Sequence, residues 1–334
     1  MTKTIVPKGY TSLLGAYKTQ TAIGLIKRSF EEQLTYRMDL KRVSAPLFVA
    51  DDSGLNDNLS GVERPVRFDV PALEVSGEVV HSLAKWKRMA LFDYDFRVGN
   101  GLYTDMNAIR RDEVLDNLHS IYVDQWDWER VISREDRSID YLKDVVKTLV
   151  HCIHATLEQV KLKYPEVTTE LDCEVSFITS QELLDLYPEL DSKAREEAYV
   201  KEHHTTFILQ IGEKLSHGKP HDFRAPDYDD WALNGDLIFW HEPLQCAMEL
   251  SSMGIRVDSD AMTQQLIKAN AEDRKVFSFH QKVIQDELPL TIGGGLGQSR
   301  MCMLLLGKAH IGEVQVSLWD KETLDACEGH INLL

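Results

Sequence analysis

The chain has 334 residues and a formal net charge of −17, and 43% of its residues are hydrophobic. That length and apolar fraction are enough for one large domain or two of ordinary size. The acidic balance opposes non-specific binding to nucleic acid, because phosphate contacts need clustered Lys and Arg side chains. There is no apolar run of 18 residues and no N-terminal secretory pattern, so we expect a cytoplasmic protein without a membrane span.

The first predicted elements lie in the N-terminal 130 residues. Residues 11–38 carry apolar side chains at helical spacing and contain no proline, which predicts a long helix. Residues 41–49 follow as a strand-like run, and Pro46 within it suits a sheet edge or an interface. Residues 101–110 and 119–129 are predicted to form two antiparallel strands joined by a charged loop.

The rest of the chain continues with mixed elements. Its helical runs are residues 140–163, 192–202 and 264–286, and its strand-like runs are residues 207–211, 235–240 and 247–252. Strands and helices do not alternate regularly, so a parallel doubly wound sheet is a poor fit. We predict one mixed α+β domain over residues 1–334.

A glycine-rich segment at residues 291–300 is the most informative local feature. It has four glycines within five residues, and Arg300 follows at the start of an apolar helical run. We predict a turn whose bare backbone admits a planar or phosphate-bearing ligand, followed by a helix N-terminus that favours an anion. The spacing matches neither a dinucleotide fingerprint nor a Walker loop. A tight turn before a core helix remains the alternative.

Two polar groups belong to the predicted antiparallel pair of strands. Arg110 stands at the tip, where it is either part of a solvated turn or a fork for a phosphate or carboxylate. On the second strand, Gln125, Asp127 and Glu129 share one face by alternation. That face is either exposed to solvent or lines a pocket that binds an amine.

Two acidic residues, Asp236 and Glu249, fall within largely apolar strand-like runs. A buried carboxylate needs a partner, and Mg²⁺ shared with phosphate groups is one candidate. An ion pair between Glu249 and Arg256 on the sheet surface is the alternative. Residues 224–230 form an acidic segment that is either a solvated turn or a site for an ammonium group.

The order of these features resembles the three signature motifs of class II aminoacyl-tRNA synthetase catalytic cores. In that family a mostly antiparallel sheet flanked by helices activates a carboxylate as an adenylate. Longer stretches are similar to the ammonia-dependent asparagine synthetases, a family of the same type without tRNA-binding domains. Those stretches are residues 57–61, 78–88, 101–104, 122–130, 180–184, 224–231, 233–236, 249–258 and the glycine run to Arg300.

The resemblance implies that L-aspartate, ammonia and ATP become L-asparagine, AMP and pyrophosphate through β-aspartyl-AMP, with Mg²⁺ as cofactor. It also implies a homodimer joined through about residues 11–49, with no nucleic-acid or membrane partner. Its catalytic residues would be Asp57, which binds ammonium and accepts its proton, Arg110 and Gln125. Aspartate would be bound by Ser82, Asp127, Arg224, Asp229, Ser251, Ser252 and Arg256. ATP would be bound by Lys87, Arg110, Gly293, Gly294, Gly295, Gly297 and Arg300, and the metal by Asp236 and Glu249.

Two other functions compete with this interpretation. One is a synthetase-like enzyme that passes an activated amino acid to another acceptor. The net charge of −17 argues against tRNA as that acceptor. The other is a non-catalytic regulatory relative, yet Arg110, Glu249 and Arg300 are all present. The stretch between Trp231 and Asn234 is shorter than expected for the family, which predicts an altered loop beside the amino-acid pocket.

Overall fold

The computed structural model describes residues 4–57 and 63–334. Within them, the strands form an eight-stranded sheet and a three-stranded sheet. In chain order the strands are β1 (Leu40–Arg42), β2 (Phe48–Ala50), β3 (Arg67–Val70), β4 (Val75–Val79), β5 (Gly101–Ile109), β6 (Tyr122–Val131), β7 (Ser176–Thr179), β8 (Thr205–Leu209), β9 (Asp229–His241), β10 (Cys246–Arg256) and β11 (Thr291–Gly297).

The large sheet has the strand order β1-β5-β6-β11-β10-β9-β8-β7. Every pairing from β5 through to β8 is antiparallel, and only the outer pairs β1–β5 and β7–β8 are parallel. The small sheet has the order β2-β4-β3. The prediction of an α+β fold with a central, mostly antiparallel sheet is confirmed.

Helices flank the large sheet. They are α1 (Ala16–Met38), α2 (Ala84–Asp93), α3 (Ile139–Lys163), α4 (Ser180–Leu186), α5 (Ser192–His203), α6 (Ser259–Lys268), α7 (Ser278–Ile284), α8 (Gln298–Leu305) and α9 (Lys321–Cys327), with short 3₁₀ helices at Glu272–Val276 and Ile311–Glu313. None of the helices in the described part of the chain combines the length and apolarity needed to cross a bilayer.

Helices α1 and α3 pack on one face of the sheet and bury its main core. Phe30 of α1 contacts Trp126 of β6, with ring centroids 4.7 Å apart. Trp126 and Trp128 therefore face the core, and by strand alternation Gln125, Asp127 and Glu129 face the other side. The predicted division of β6 into an apolar and a polar face is confirmed. One face of the sheet therefore packs in the core, and the opposite face is available for a functional site.

Several predicted elements were wrong in detail. The run at residues 41–49 divides into β1 and β2, which belong to different sheets, and Pro46 lies in the connection between them. The single helix predicted at residues 264–286 is interrupted after α6, where Asn270 has a φ of +52° that a helix cannot continue through. The stretch between Trp231 and Asn234, which is shorter than expected for the family, lies within β9.

Candidate active site

A polar cavity lies on the face of the sheet opposite α1 and α3, with about 1150 Å³ of empty space including its open mouth. Strands β6, β10 and β11 contribute to its floor, and the loop after β5 and the start of α8 contribute to its walls. Thirteen of the predicted site residues line it: Ser82, Lys87, Arg110, Gln125, Asp127, Asp229, Glu249, Ser252, Arg256, Gly294, Gly295, Gly297 and Arg300. Arg110 and Arg300, far apart in sequence, thus share one cavity.

The glycine-rich segment forms a strand in the middle of the sheet, so the predicted turn was wrong. Its glycines serve close packing instead. A Cβ at Gly293 would lie 2.6 Å from Oε2 of Glu129 and 2.7 Å from an Arg256 guanidinium nitrogen, and one at Gly295 would lie 2.6 Å from Oε1 of Gln125. Glycine at these two positions gives neighbouring polar side chains room to lie flat across β11.

A buried ionic network uses that space. Arg256 donates hydrogen bonds of 2.9 and 3.2 Å to Oε2 of Glu129 and another to Asp229. The hydroxyl of Thr291 donates a 2.7 Å hydrogen bond to Oε1, the other oxygen of Glu129. Burial lowers the pKa of Arg256, but the two carboxylates outweigh it, so its pKa lies above the ordinary value. The alternative pairing of Glu249 with Arg256 is wrong, because both partners of Arg256 are other carboxylates.

Lys87 and Asp127 form a second buried pair beside this network. The Lys87 ammonium group of α2 binds Oδ1 of Asp127 and donates a 3.1 Å hydrogen bond to the carbonyl oxygen of Gly294. The other oxygen, Oδ2 of Asp127, is buried and has no hydrogen-bond partner among the residues that the structure describes. A buried acceptor without a partner is costly, so this atom is suited to a cationic ligand group such as an ammonium.

Arg110 and Arg300 supply the positive charge of the cavity. A terminal guanidinium nitrogen of Arg110 lies 3.6 Å from Oε2 of Glu113. The buried Nε of Arg110 has no hydrogen-bond partner within residues 4–57 and 63–334. Arg300, in the first turn of α8, donates a 2.9 Å hydrogen bond to the carbonyl oxygen of Glu249. Burial lowers the pKa of Arg300, Glu249 opposes that effect and Arg110 adds to it. Two guanidinium groups that repel each other across a cavity favour an anion between them.

Glu249 lines the cavity and interacts with the carboxylate of Asp236, which lies outside the cavity lining. Arg224 donates to Oδ2 of Asp236, whereas Oδ1 is buried and lacks a partner among the described residues. Burial raises the pKa of Asp236 to about 6; Arg224 opposes this, and the Glu249 carboxylate reinforces it. Glu249 keeps a lowered pKa because Arg300, Lys193 and Arg224 outweigh its own burial.

This pair fits a magnesium ion. The described residues contain no group of three or more metal-binding side chains, so at most two protein carboxylates are on offer. Mg²⁺ is commonly bound by one or two carboxylates, with water and substrate phosphates completing its octahedron. A divalent cation would give Oδ1 of Asp236 a partner, and it would also relieve the repulsion between the two carboxylates.

Five predicted site residues lie outside the cavity lining: Asp57, Arg224, Asp236, Ser251 and Gly293. Arg224 and Asp236 pair with each other, and Arg224 helps to lower the pKa of Glu249. Ser251 lies on the core side of β10 with Met253 and Ile255, on the face opposite Ser252. The structure therefore does not place the two adjacent serines together.

Asp57 lines a separate, smaller cavity with about 590 Å³ of empty space including its open mouth. Burial raises its pKa to about 6, Lys85 and the hydroxyl of Tyr228 oppose that shift, and Asp227 reinforces it. Its Oδ2 atom is buried and makes no hydrogen bond in the described part of the chain. Residues 58–61 of the similar stretch that begins at Asp57 lie outside the described residues.

The predicted site residues did not include three residues of the site, although Glu129 was already assigned to the polar face of β6. Glu129 holds Arg256, Tyr228 lines the large cavity beside Asp57, and His81 lines the same cavity with both ring nitrogens buried. A signal existed for each. Glu129 shares the polar face of β6 with Asp127, and the other two lie within stretches that resemble the asparagine synthetases.

Comparison with solved structures identifies the fold. The asparaginyl-tRNA synthetase of Pyrococcus horikoshii, solved with asparaginyl-adenylate, superposes with a TM-score of 0.67 at 14% identity, covering 90% of this chain and 68% of that one. The asparaginyl-tRNA synthetase of Entamoeba histolytica, also with asparaginyl-adenylate, gives 0.65 at 12% identity, covering 90% and 66%. The fold is thus that of class II aminoacyl-tRNA synthetases.

Comparison with curated sequences identifies the family. A family model described as aspartate-ammonia ligase matches residues 17–331. An aspartate–ammonia ligase of Lactobacillus acidophilus is 56% identical over 99% of this chain and 100% of its own length. One of Clostridium perfringens is 54% identical over the whole of both chains. The chain belongs to the aspartate–ammonia ligase family.

Proposed function

We propose that the protein catalyses the ATP-dependent amidation of L-aspartate by ammonia, with β-aspartyl-AMP as intermediate and AMP and pyrophosphate as the other products. Its family membership supports the overall reaction. The observation that supports the chemistry is one cavity lined by Arg110, Arg300 and Asp127, whose Oδ2 atom has no hydrogen-bond partner among the described residues. One substrate with an ammonium and a carboxylate, and a second with phosphates, match those charges.

Aspartate is held by its charged ends. Oδ2 of Asp127 accepts a hydrogen bond from the substrate ammonium, and Lys87 fixes the other oxygen of the same carboxylate. Gln125, Ser82 and Ser252 offer amide and hydroxyl groups to the remaining polar atoms of the substrate. Arg256 and Asp229 are engaged within the buried network, so they position the pocket and set its charge.

The adenylation step must overcome repulsion between a carboxylate and ATP. The guanidinium of Arg110 bridges the substrate β-carboxylate and the α-phosphate, which offsets that repulsion and stabilises the charge of the transition state. Arg300 holds the outer phosphate oxygens from the start of α8. Gly294, Gly295 and Gly297 line the cavity, and the backbone at Gly297, which has no side chain, lets the nucleotide lie close to the end of the strand.

Asp236 and Glu249 would hold Mg²⁺ in the proposed reaction. When bound, the ion neutralises phosphate charge and helps pyrophosphate to leave. The chain's own part is to keep both carboxylates in place. Arg224 orients Asp236 through one oxygen, and the main-chain bond from Arg300 anchors the strand at Glu249.

Amide formation needs ammonia, which is mostly ammonium at neutral pH. Asp57 binds the ammonium ion and accepts one proton from it. Burial makes the Asp57 carboxylate more basic than an exposed one, which suits a proton acceptor. The neutral nitrogen then attacks the acyl carbon, and AMP departs.

We also propose that two copies form a homodimer through about residues 11–49. Tyr17 and Tyr36 on α1 are 82% and 89% exposed in the single chain, and Leu47 and Phe48 are also exposed. Large exposed apolar side chains in one segment favour an interface. A cytoplasmic location accords with five unpaired cysteines, and the net charge of −17 opposes a nucleic-acid partner.

Product analysis of the purified protein tests the reaction. With ATP, magnesium, L-aspartate and ammonium, the proposal predicts AMP, pyrophosphate and asparagine in equal amounts, and no AMP without aspartate. Glutamine in place of ammonium should give no asparagine. Formation of ADP, or a requirement for tRNA as acceptor, would refute the proposal.

A further inference from the structure

The small cavity beside Asp57 has a size and a charge pattern of its own. Its empty space, about 590 Å³ including the open mouth, is ample for ammonium with a few waters and is about half that of the large cavity. Its charged lining groups are Asp51, Asp57, Arg67, Glu78, Lys85 and Arg274. Asp51 lines the cavity and is exposed whereas Asp57 is buried, so we infer that Asp51 lies at the mouth.

Most of these charges are already engaged. Oε1 of Glu78 accepts from Arg67 and Oε2 accepts a 3.0 Å hydrogen bond from Asn56. Asp227, buried behind the cavity, accepts a 2.9 Å hydrogen bond from Arg274 and lies 3.5 Å from the Lys85 ammonium.

His280 completes that cluster, with Nε2 2.9 Å from the same Asp227 oxygen. The two cations, Lys85 and Arg274, therefore face Asp227 and are neutralised in part by it. Asp51 and Asp57 have no ion-pair partner in the two described ranges. A small cation that entered here would meet these two carboxylates.

Asp57 also stands at the boundary between the two cavities. Tyr228, whose hydroxyl lowers the pKa of the Asp57 carboxyl, lines the large cavity. His81 lines the large cavity too, and its ring lies against the Asp57 main-chain carbonyl. A small molecule at the Asp57 carboxylate is thus one side chain away from the cavity that holds the two arginines.

We propose that the small cavity is a separate entrance for ammonium, which is held at Oδ2 of Asp57 and passes Tyr228 as ammonia to reach the aspartyl adenylate. This inference rests on the proposed function. The large cavity is an unsuitable route at this stage of the reaction, because the adenylate fills it before ammonia is needed.

One N–H bond of ammonium breaks and its proton moves to the Asp57 carboxylate. The nitrogen lone pair forms a bond to the β-acyl carbon, the carbon–oxygen bond to the phosphate of AMP breaks, and the nitrogen releases a second proton to water. Asp57 then returns its proton to water in the small cavity, which restores the carboxylate.

A mouth variant tests the entrance, with its neighbour as the matched control. Asp51→Trp fills the mouth of the small cavity, and Asp51→Arg places a cation there. Asp52→Trp changes the adjacent exposed aspartate, which does not line the cavity. The assay measures the KM for ammonium in asparagine formation and, separately, aspartate-dependent exchange of pyrophosphate into ATP.

We expect both Asp51 variants to raise the KM for ammonium by about tenfold, with pyrophosphate exchange and the KM for aspartate within about twofold of the unchanged protein. Asp52→Trp should leave all three values unchanged. An ammonium KM unaffected by both Asp51 variants, with exchange intact, overturns the entrance and leaves the proposed function standing. Absence of aspartate-dependent exchange in the unchanged protein overturns both.

Discussion

Arg300 donates a 2.9 Å hydrogen bond to the main-chain carbonyl oxygen of Glu249, which lies 51 residues earlier in the chain. The bond ties the first turn of α8 to the middle of β10. It therefore holds a guanidinium group above the sheet, in the cavity that Arg110 enters from the loop after β5. Two segments distant in sequence supply one anion site through this contact.

Replacing Arg110 tests the adenylation step. Arg110→Ala removes a cation from the reacting carboxylate and phosphate, so we expect aspartate-dependent pyrophosphate exchange to fall by about 100-fold or more. Arg111→Ala is the matched control, because Arg111 is exposed and does not line the cavity. Exchange that survives unchanged in Arg110→Ala would remove this residue from the mechanism.

Replacing Asp57 separates the two half-reactions. Asp57→Asn keeps the shape of the side chain and loses the proton acceptor, so pyrophosphate exchange should persist while asparagine formation slows by about 100-fold. Asp52→Asn, a change at an exposed aspartate, should affect neither rate. Equal losses in both half-reactions would contradict the division of roles.

Although Asp57→Asn is expected to slow asparagine formation, it should make the folded protein more stable at neutral pH. The pKa of Asp57 is raised to about 6 in the folded protein from an ordinary 3.8, so the folded state binds its proton more tightly than the unfolded state. The resulting destabilisation is absent below about pH 4, grows as the pH rises, and is complete above about pH 6. A shift of about two units corresponds to about 3 kcal/mol.

We therefore expect Asp57→Asn to raise the free energy of unfolding by up to about 3 kcal/mol at pH 7.5 and to leave it unchanged at pH 4. Urea denaturation of both proteins at the two pH values measures this difference. A gain in stability that does not depend on pH would show that the charge of Asp57 is not its cause.

The glycines of β11 have a packing role that substitution can test. Gly293→Ala places a Cβ 2.6 Å from Oε2 of Glu129, so either the Arg256 network or the strand must shift. We expect a loss of about 1–3 kcal/mol in the free energy of unfolding, together with a higher KM for aspartate. Gly15→Ala is the control, because a Cβ added at Gly15 would have no other atom within 4 Å. An unaffected Gly293→Ala protein would contradict the packing role.

The sequence was sufficient for elements whose periodicity is strong. Helices α1 and α3 bury a continuous apolar stripe, and the alternation in β6 separates Trp126 and Trp128 from Asp127 correctly. The glycine-rich strand was mistaken for a turn because composition favours a turn. Its strand conformation is fixed by pairing with β6 and β10, and those pairs involve partners distant in sequence.

The sequence predicted a residue of the candidate site only where the segment around that residue resembled a known motif. Arg110 and Arg300 follow from resemblance, and the structure brings them into one cavity. The small cavity at Asp57 could not be found in this way. It needs Lys85 from α2, Arg274 from a 3₁₀ helix and the buried Asp227 to come together, and no local pattern encodes their meeting.

The central claim is that the substrate β-carboxylate attacks the α-phosphorus of ATP between Arg110 and Arg300. The most direct measurement uses L-aspartate labelled with oxygen-18 in its β-carboxylate and analyses AMP and pyrophosphate by mass spectrometry. We predict one labelled oxygen in each AMP, because the attacking oxygen stays with the phosphate when ammonia displaces it, and no label in pyrophosphate. Unlabelled AMP formed alongside asparagine would contradict the account.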